Sequence, residues 1–133
     1  MAEFTTLRDC FSANGELVAN TPATVSATTT SAAFFVGDRT ELSVQIGCSG
    51  HTSGNGKFEV LISNDGTNFN TFQRIVADAA VTAGSTPALV NQVTLSANGY
   101  DYLLFPNGDH FAWMKVRCTV TTDGAYSAVI HAV

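Results

Sequence analysis

Three histidines and the cysteines are the residues of this chain best suited to metal binding or catalysis. Cys48 and His51 have the C-x-x-H spacing of half a metal site, and His110 directly follows Asp109. Zinc requires three or four ligands, and no second paired motif supplies the missing ones. Ser49, His51 and Asp109 are also the residue types of a nucleophile, a base and an orienting acid, but the sequence has no G-x-S-x-G motif. We therefore expect a chain without metal, cofactor or enzymatic activity.

The segment from Ser63 to Asn68 loosely resembles a calcium-binding loop. Tight calcium sites use several carboxylates, whereas this segment contains only Asp65. Asp65 precedes Gly66, and this pair is typical of a tight turn between two strands. The sequence therefore favours a hairpin, with a return strand over residues 70–76.

Aromatic rings on a surface could bind a carbohydrate by stacking. The candidates for such a platform are Phe69, Tyr100, Tyr102, Trp113 and Tyr126. Tyr100 and Tyr102 alternate, so a strand would place them on one face. For Trp113 we favour a role in the core or under a loop, which is more common for a single Trp in a small β-domain.

Charged residues are scarce, at 13% of 133 residues, while 45% are hydrophobic, which is enough for one domain with a real core. The net charge of −5 disfavours contact with phosphate backbones, so we expect no nucleic-acid partner.

The uncharged stretches 17–37 and 79–100 are too rich in Thr, Ser and Asn to cross a membrane. The number of cysteines is odd, and we expect Cys118 to be a core residue. Together with an N-terminus unlike a signal peptide, these features predict synthesis in a reducing cytoplasm.

Turn pairs and alternating strands dominate the sequence. Six Asn or Asp residues precede Gly, a pair that tolerates the positive φ of tight turns: Asn14-Gly15, Asn55-Gly56, Asp65-Gly66, Asn98-Gly99, Asn107-Gly108 and Asp123-Gly124. Period-two alternation predicts strands over residues 40–46, 57–63, 70–76, 89–95, 100–105, 111–120 and 125–132. A capping box predicts one or two helical turns over residues 7–13. The predicted fold is all-β: a single-domain antiparallel β-sandwich, jelly-roll-like, of about eight strands with an extended N-terminal segment.

The N-terminal region is biased towards small and β-branched residues, especially over residues 21–33. This composition favours an edge strand or an extended arm. We divide the chain into an N-terminal arm and edge segment, 1–35, and a β-sandwich domain, 36–133. The sparsely charged segments from Phe4 to Phe35 and from Ala79 to Leu95 are candidate contact surfaces, because burying them desolvates little charge. Their candidate interaction residues are Phe4, Leu7, Phe11, Leu17, Val25, Phe34, Phe35, Val81 and Leu89.

Two strand-turn segments carry a resemblance to known proteins. Residues 58–69 consist of an apolar strand, an S-x-D-G turn and an aromatic residue. They resemble a segment of many jelly-roll and sandwich modules, including discoidin-type carbohydrate-binding domains and small virion proteins of tailed bacteriophages. Residues 111–120, the turn at 123–124 and residues 125–132 resemble the two closing strands of such phage proteins.

Capsid decoration (cement) proteins of these phages are small β-domains, often trimeric, that bind between capsid subunits. The resemblance implies a non-enzymatic virion structural protein, made in the host cytoplasm, with the major capsid protein as its partner. It also implies a homo-oligomer, with a trimer as the expected state. Two alternatives stay open, namely a carbohydrate- or receptor-binding module and a structural protein of the phage tail or baseplate.

Overall fold

The computed structural model describes residues 7–72, 92–105 and 110–133, and these residues form ten β-strands and no helix. All the strand pairs between them are antiparallel. The strands are β1 (Leu7–Asp9), β2 (Thr29–Thr30), β3 (Phe34–Phe35), β4 (Leu42–Ser49), β5 (Gly54–Ser63), β6 (Asn70–Thr71), β7 (Gln92–Leu95), β8 (Gly99–Phe105), β9 (Trp113–Thr122) and β10 (Ala125–Ala132).

One sheet contains four strands in the order β1-β10-β4-β8. Alternation along β4 decides which face is buried. Val44 and Ile46 have no exposed surface, whereas Ser43 and Gln45 are partly exposed on the opposite face. β10 pairs with β4 along all eight of its residues, so the two strands bury matching faces.

The second sheet contains six strands in the order β2-β9-β5-β6, with β3 also paired to β9 and β7 to β5. β5 and β9 form its centre and pair from Gly54 opposite Thr122 to Ser63 opposite Trp113. Inward residues of both strands, such as Phe58, are fully buried. The outer faces of β5 and β9 therefore form one continuous surface.

A single hydrophobic core lies between the two sheets. Tyr126 of β10 meets Phe58 of β5 edge-on, with ring centroids 6.1 Å apart. Elsewhere in the core three phenylalanines, Phe72, Phe105 and Phe111, pack with centroids 5.7 to 6.0 Å apart. These contacts confirm the predicted all-β, sandwich-like fold.

The predicted strands agree with the structure in place, with shifts at their ends. β10 coincides with the prediction over 125–132, and β9 begins and ends two residues after the predicted bounds. The return strand predicted over 70–76 is present at residues 70–71, where β6 pairs with β5, and residues 73–76 lie outside the described residues. Likewise β7 occupies residues 92–95 of the strand predicted over 89–95.

The helix predicted over residues 7–13 is wrong, because Leu7–Asp9 forms a strand at the edge of β10. The backbone N–H of Asp9 donates to the carbonyl of Gly15, and that of Cys10 donates to Ala128 in β10. The open edge of a long strand supplies these backbone partners, and a weak capping signal cannot compete with them.

The turn expected at Asn55-Gly56 is also wrong, because both residues lie inside β5. The chain turns earlier, between Gly50 and Gly54, whose φ angles are +61° and +80°. Gly56 serves packing instead. A Cβ atom there would lie 2.4 Å from Cε1 of Tyr126, so only glycine allows this ring to lie against β5.

Residues 7–35 contribute edge strands to both sheets. β1 lies beside β10 in the four-stranded sheet, while β2 and β3 pair with β9 in the six-stranded sheet. Between them, Val25 exchanges two backbone hydrogen bonds with Tyr126. The described part of the N-terminal segment is thus tied to the two closing strands, β9 and β10.

Candidate functional site

The candidate interaction residues fall into three groups. Leu7 and Phe35 are exposed, at 41% and 53% of their surface. Phe11, Val25 and Phe34 are partly buried and pack against the core, and Leu17 is half-buried. Phe4, Val81 and Leu89 lie outside the described residues. The structure therefore leaves Leu7 and Phe35 available for contact, on different sheets.

The outer face of the four-stranded sheet carries two exposed tyrosines. Tyr100 and Tyr102 are 70% and 51% exposed and lie opposite Gly47 and Gln45 of β4. A Cβ atom on Gly47 would lie 2.8 Å from Cε1 of Tyr100, so the ring of Tyr100 lies over this glycine. We name the surface formed by Gln45, Gly47, Tyr100 and Tyr102 the tyrosine face.

Tyr126, another aromatic candidate, is fully buried and does not belong to any exposed platform. Its hydroxyl donates a hydrogen bond to the carbonyl of Asp123 at 2.8 Å. Burial, and then its contact with Cys48, raise the pKa of Tyr126 to about 12. Tyr126 therefore stabilises one end of the sandwich and is not available to bind a ligand.

The outer face of the six-stranded sheet carries a group of cations. The register of β5 and β9 places Glu59 opposite Arg117, and Nη2 of Arg117 lies 3.0 Å from Oε1 of Glu59. Nζ of Lys57 lies 3.8 Å from the same oxygen. Lys115, two residues before Arg117, places Nζ 4.3 Å from the ring centroid of Phe69. Two of these cations thus share the Glu59 carboxylate, while the third, Lys115, lies over an aromatic ring.

Aromatic side chains lie at one end of these cations. Trp113 is half-buried and meets Phe35 edge-on, with ring centroids 5.1 Å apart. Its indole nitrogen also lies against Gly66, where a Cβ atom would approach to 3.1 Å. Trp113 therefore packs under the turn at residues 65–66, in agreement with the role expected from the sequence.

We name this surface the basic face and define it by Lys57, Glu59, Lys115 and Arg117, together with Phe35, Phe69 and Trp113. Alternation alone places Lys115 and Arg117 on one face of β9. It does not reveal that β5 lies beside β9 and adds Lys57 and Glu59, or that β3 adds Phe35.

The candidate metal half-site does not assemble. Cys48 is buried in the core, whereas His51 lies in the loop between β4 and β5. Nε2 of His51 is 2.8 Å from the carbonyl oxygen of Gly54, the first residue of β5. Among the described residues no three His, Cys, Asp or Glu side chains are grouped as metal ligands. Asp109, the acid of the candidate triad, lies outside the described residues.

Asp123 joins two loops at one end of the sandwich. Its carboxylate accepts hydrogen bonds from the backbone N–H groups of Thr52 and Ser53, both at 3.1 Å, and from the hydroxyl of Thr52. These bonds, led by that of the Thr52 hydroxyl, lower the pKa of Asp123 to about 2. The turn between β9 and β10 is thereby attached to the loop between β4 and β5.

Asp65 organises the turn after β5. One oxygen, Oδ1, accepts hydrogen bonds from the backbone N–H groups of Thr67 and Asn68 and from the hydroxyl of Ser63. The other, Oδ2, accepts one from the side-chain amide of Asn68. These bonds, first those from the backbone, lower the pKa of Asp65 well below its usual value. The Asp65 carboxylate therefore stabilises the turn in which it lies, in agreement with the predicted hairpin.

Two shallow clefts share Asn64, His110 and Phe111. The first has a volume of about 280 Å³ and is also lined by Arg39, and the second has a volume of about 440 Å³. No carboxylate is found among the described residues that line either cleft. The tyrosine face and the basic face are therefore the stronger candidates for function.

No family model and no curated protein matches this chain. Where the chain is described, it has no helix of the length and apolar character needed to cross a membrane.

Proposed function

We propose that this chain is a non-enzymatic virion structural protein that decorates and stabilises a phage capsid by bridging neighbouring capsid subunits. Its partner is the major capsid protein, and it acts in the virion as a homo-oligomer. A jelly-roll order of connections belongs to the same proposal. The support is the resemblance of residues 58–69 and 111–132 to small phage virion proteins, together with the surface of the sandwich.

The observation that carries the proposal is the presence of aromatic side chains on the outer faces of both sheets. Phe35 on one sheet and Tyr100 and Tyr102 on the other expose more than half of their surface. Exposed aromatic groups on a flat strand surface are typical of contacts between proteins. Two such faces allow one domain to touch two neighbours, and several modest contacts on one particle act together through effective concentration.

Quantitative mass spectrometry of purified particles tests this function. We expect the chain to be present at a fixed ratio to the major capsid protein. Added to particles that lack it, the purified protein should co-sediment with them and saturate at the same ratio. Particles that contain no copy of the chain, or a ratio that varies with purification, would contradict the proposal.

A second function, carbohydrate or receptor binding, is favoured by the tyrosine face alone. The ring of Tyr100 lies over Gly47 with 70% of the residue exposed, and Tyr102 follows on the same face. Such rings can stack on a sugar while the Gln45 amide donates or accepts hydrogen bonds.

A glycan array, followed by melting curves in the presence of any glycan that binds, separates the two functions. On this second function, Tyr100→Ala should weaken glycan binding by about tenfold, because one stacking contact contributes about 1.4 kcal/mol. Phe35→Ala, on the opposite sheet, is the matched control and should bind as the wild type does. An array without hits excludes carbohydrate binding by the tyrosine face.

A further inference from the structure

The basic face differs in charge from the rest of the chain. It holds three of the six Lys and Arg residues and one acid, Glu59, so its net charge is +2. Because the whole chain carries −5, the remaining residues carry −7. A compact positive surface on an acidic protein indicates a negatively charged partner.

The cations of this face are only partly neutralised within the chain. Oε1 of Glu59 serves both Arg117 and Lys57, whose side chains keep 33% and 40% of their surface exposed. Among the described residues, the contact of the Lys115 ammonium is the ring of Phe69, which carries no charge. The chain itself does not fully neutralise these cations, so carboxylates of a partner can pair with them.

The aromatic end of the face indicates a protein partner rather than a polyanion. Phe35 and Trp113 form an edge-on pair next to Lys115, and Phe35 is 53% exposed. Trp and Arg are the residues that most often dominate binding between proteins, in contacts that exclude water. A nucleic acid would in addition be repelled by the net charge of −7 that the remaining residues carry.

We propose that the basic face binds exposed carboxylates of a second copy of this chain. The complementary charge is present in the chain itself, and its exposed carboxylates in the described part include those of Glu16, Glu41 and Asp101. Such a contact joins two different surfaces, so each copy keeps one free surface for the next, and the assembly closes into a ring or extends. This inference rests on the proposed function only in that copies must lie side by side on a particle.

Sedimentation velocity on the purified chain, at increasing protein concentration, tests this contact. The series is run in low salt and in about 1 M NaCl, where the Debye length falls to about 3 Å and charge pairs are screened. We expect association in low salt that weakens in high salt. Lys115→Gln should raise the dissociation constant by about fivefold, because one exposed ion pair is lost. Phe35→Ala should also weaken association, since it removes the exposed ring.

The matched control is Gln45→Glu on the tyrosine face, which changes the net charge by the same −1 as Lys115→Gln. The control should associate as the wild type does. A chain that stays monomeric at every concentration overturns the inference. So does association that Lys115→Gln leaves unchanged, or that Gln45→Glu weakens as much as Lys115→Gln does.

Failure of this inference is distinguishable from failure of the proposed function. A monomeric chain that still saturates particles at a fixed ratio overturns self-association, and with it the homo-oligomer, but leaves capsid decoration in place. A chain that associates through the basic face but is not found in particles overturns the proposed virion role and leaves the contact in place.

Discussion

At the scale of single residues, two glycines let aromatic rings lie directly against the backbone of a strand. Gly56 and Gly47 both lie under tyrosine rings, Tyr126 inside the core and Tyr100 on the surface. Neither role is visible in the sequence, where glycine in a strand indicates a turn as readily as a contact. Cys48 and Cys118 occupy inward positions of β4 and β9, and for Cys118 this is the core position expected from the sequence.

Gly56→Ala tests the contact with Tyr126. The added methyl group would overlap a ring that has no exposed surface and cannot move aside, so we expect a loss of about 1–3 kcal/mol in unfolding free energy. Urea denaturation measures the loss. Gly50→Ala is the control, since its Cβ atom meets nothing within 4 Å and its cost comes only from a φ of +61°. A Gly56→Ala variant as stable as the wild type would show that the ring tolerates a side chain.

Thiol labelling tests the burial of Cys10 and Cys118. Burial raises the pKa of Cys118 to about 12 and that of Cys10 well above its usual value, so little thiolate forms at pH 8. We expect both thiols to react with a disulfide reagent far more slowly in the native chain than in urea. Peptide mapping after labelling identifies each cysteine, and fast native labelling of either one contradicts its buried position.

At the scale of elements, two connections that cross between the sheets are joined to each other at one end of the sandwich. The chain passes from the four-stranded sheet to the six-stranded sheet between β4 and β5, and it returns between β9 and β10. Thr52 and Ser53 of the first connection donate hydrogen bonds to Asp123 of the second, so Asp123 holds the two connections together.

Asp123 makes stability depend on pH in the acid range. Its pKa falls from about 3.8 in the unfolded chain to about 2 in the folded one, so its contribution is complete above pH 3.8 and is lost as the pH falls towards 2. Asp123→Asn should therefore lower stability at neutral pH and reduce the loss of stability between pH 4 and pH 2. Urea midpoints over this pH range measure the effect, with Glu16→Gln as a control on an exposed loop. An unchanged pH profile in Asp123→Asn would contradict the role of this carboxylate.

At the scale of the whole molecule, the N-terminal segment closes the fold at its edges. Asp9 and Cys10 are buried, and the Asp9 carboxylate accepts the backbone N–H of Ala23 at 2.7 Å. β1, β2 and β3 together cover the outer edges of β10 and β9. The sandwich therefore depends on residues that lie before position 36.

Two truncations test this dependence. Deletion of residues 1–20 removes β1 and should lower the unfolding free energy by about 2 kcal/mol or more, because buried apolar area and the hydrogen bonds of Asp9 are lost. Deletion of residues 1–6 stops before β1 and serves as the control for shortening the chain. Thermal melting compares the three proteins, and equal stability after both deletions would show that residues 7–20 are not needed by the sandwich.

The amino-acid sequence by itself determined the fold class, most strand positions and which side chains face inwards. It could do so because alternation in a strand is a local property, read from neighbours two residues apart, as in β4, β9 and β10. The tertiary structure alone decided which strands are neighbours, and with them both candidate faces. Glu59 meets Arg117, and Phe35 meets Trp113, only because β5 and β3 pair with β9. Two-residue strands such as β2 and β3 have no period to detect, and partners separated by dozens of residues are selected by packing of the whole chain.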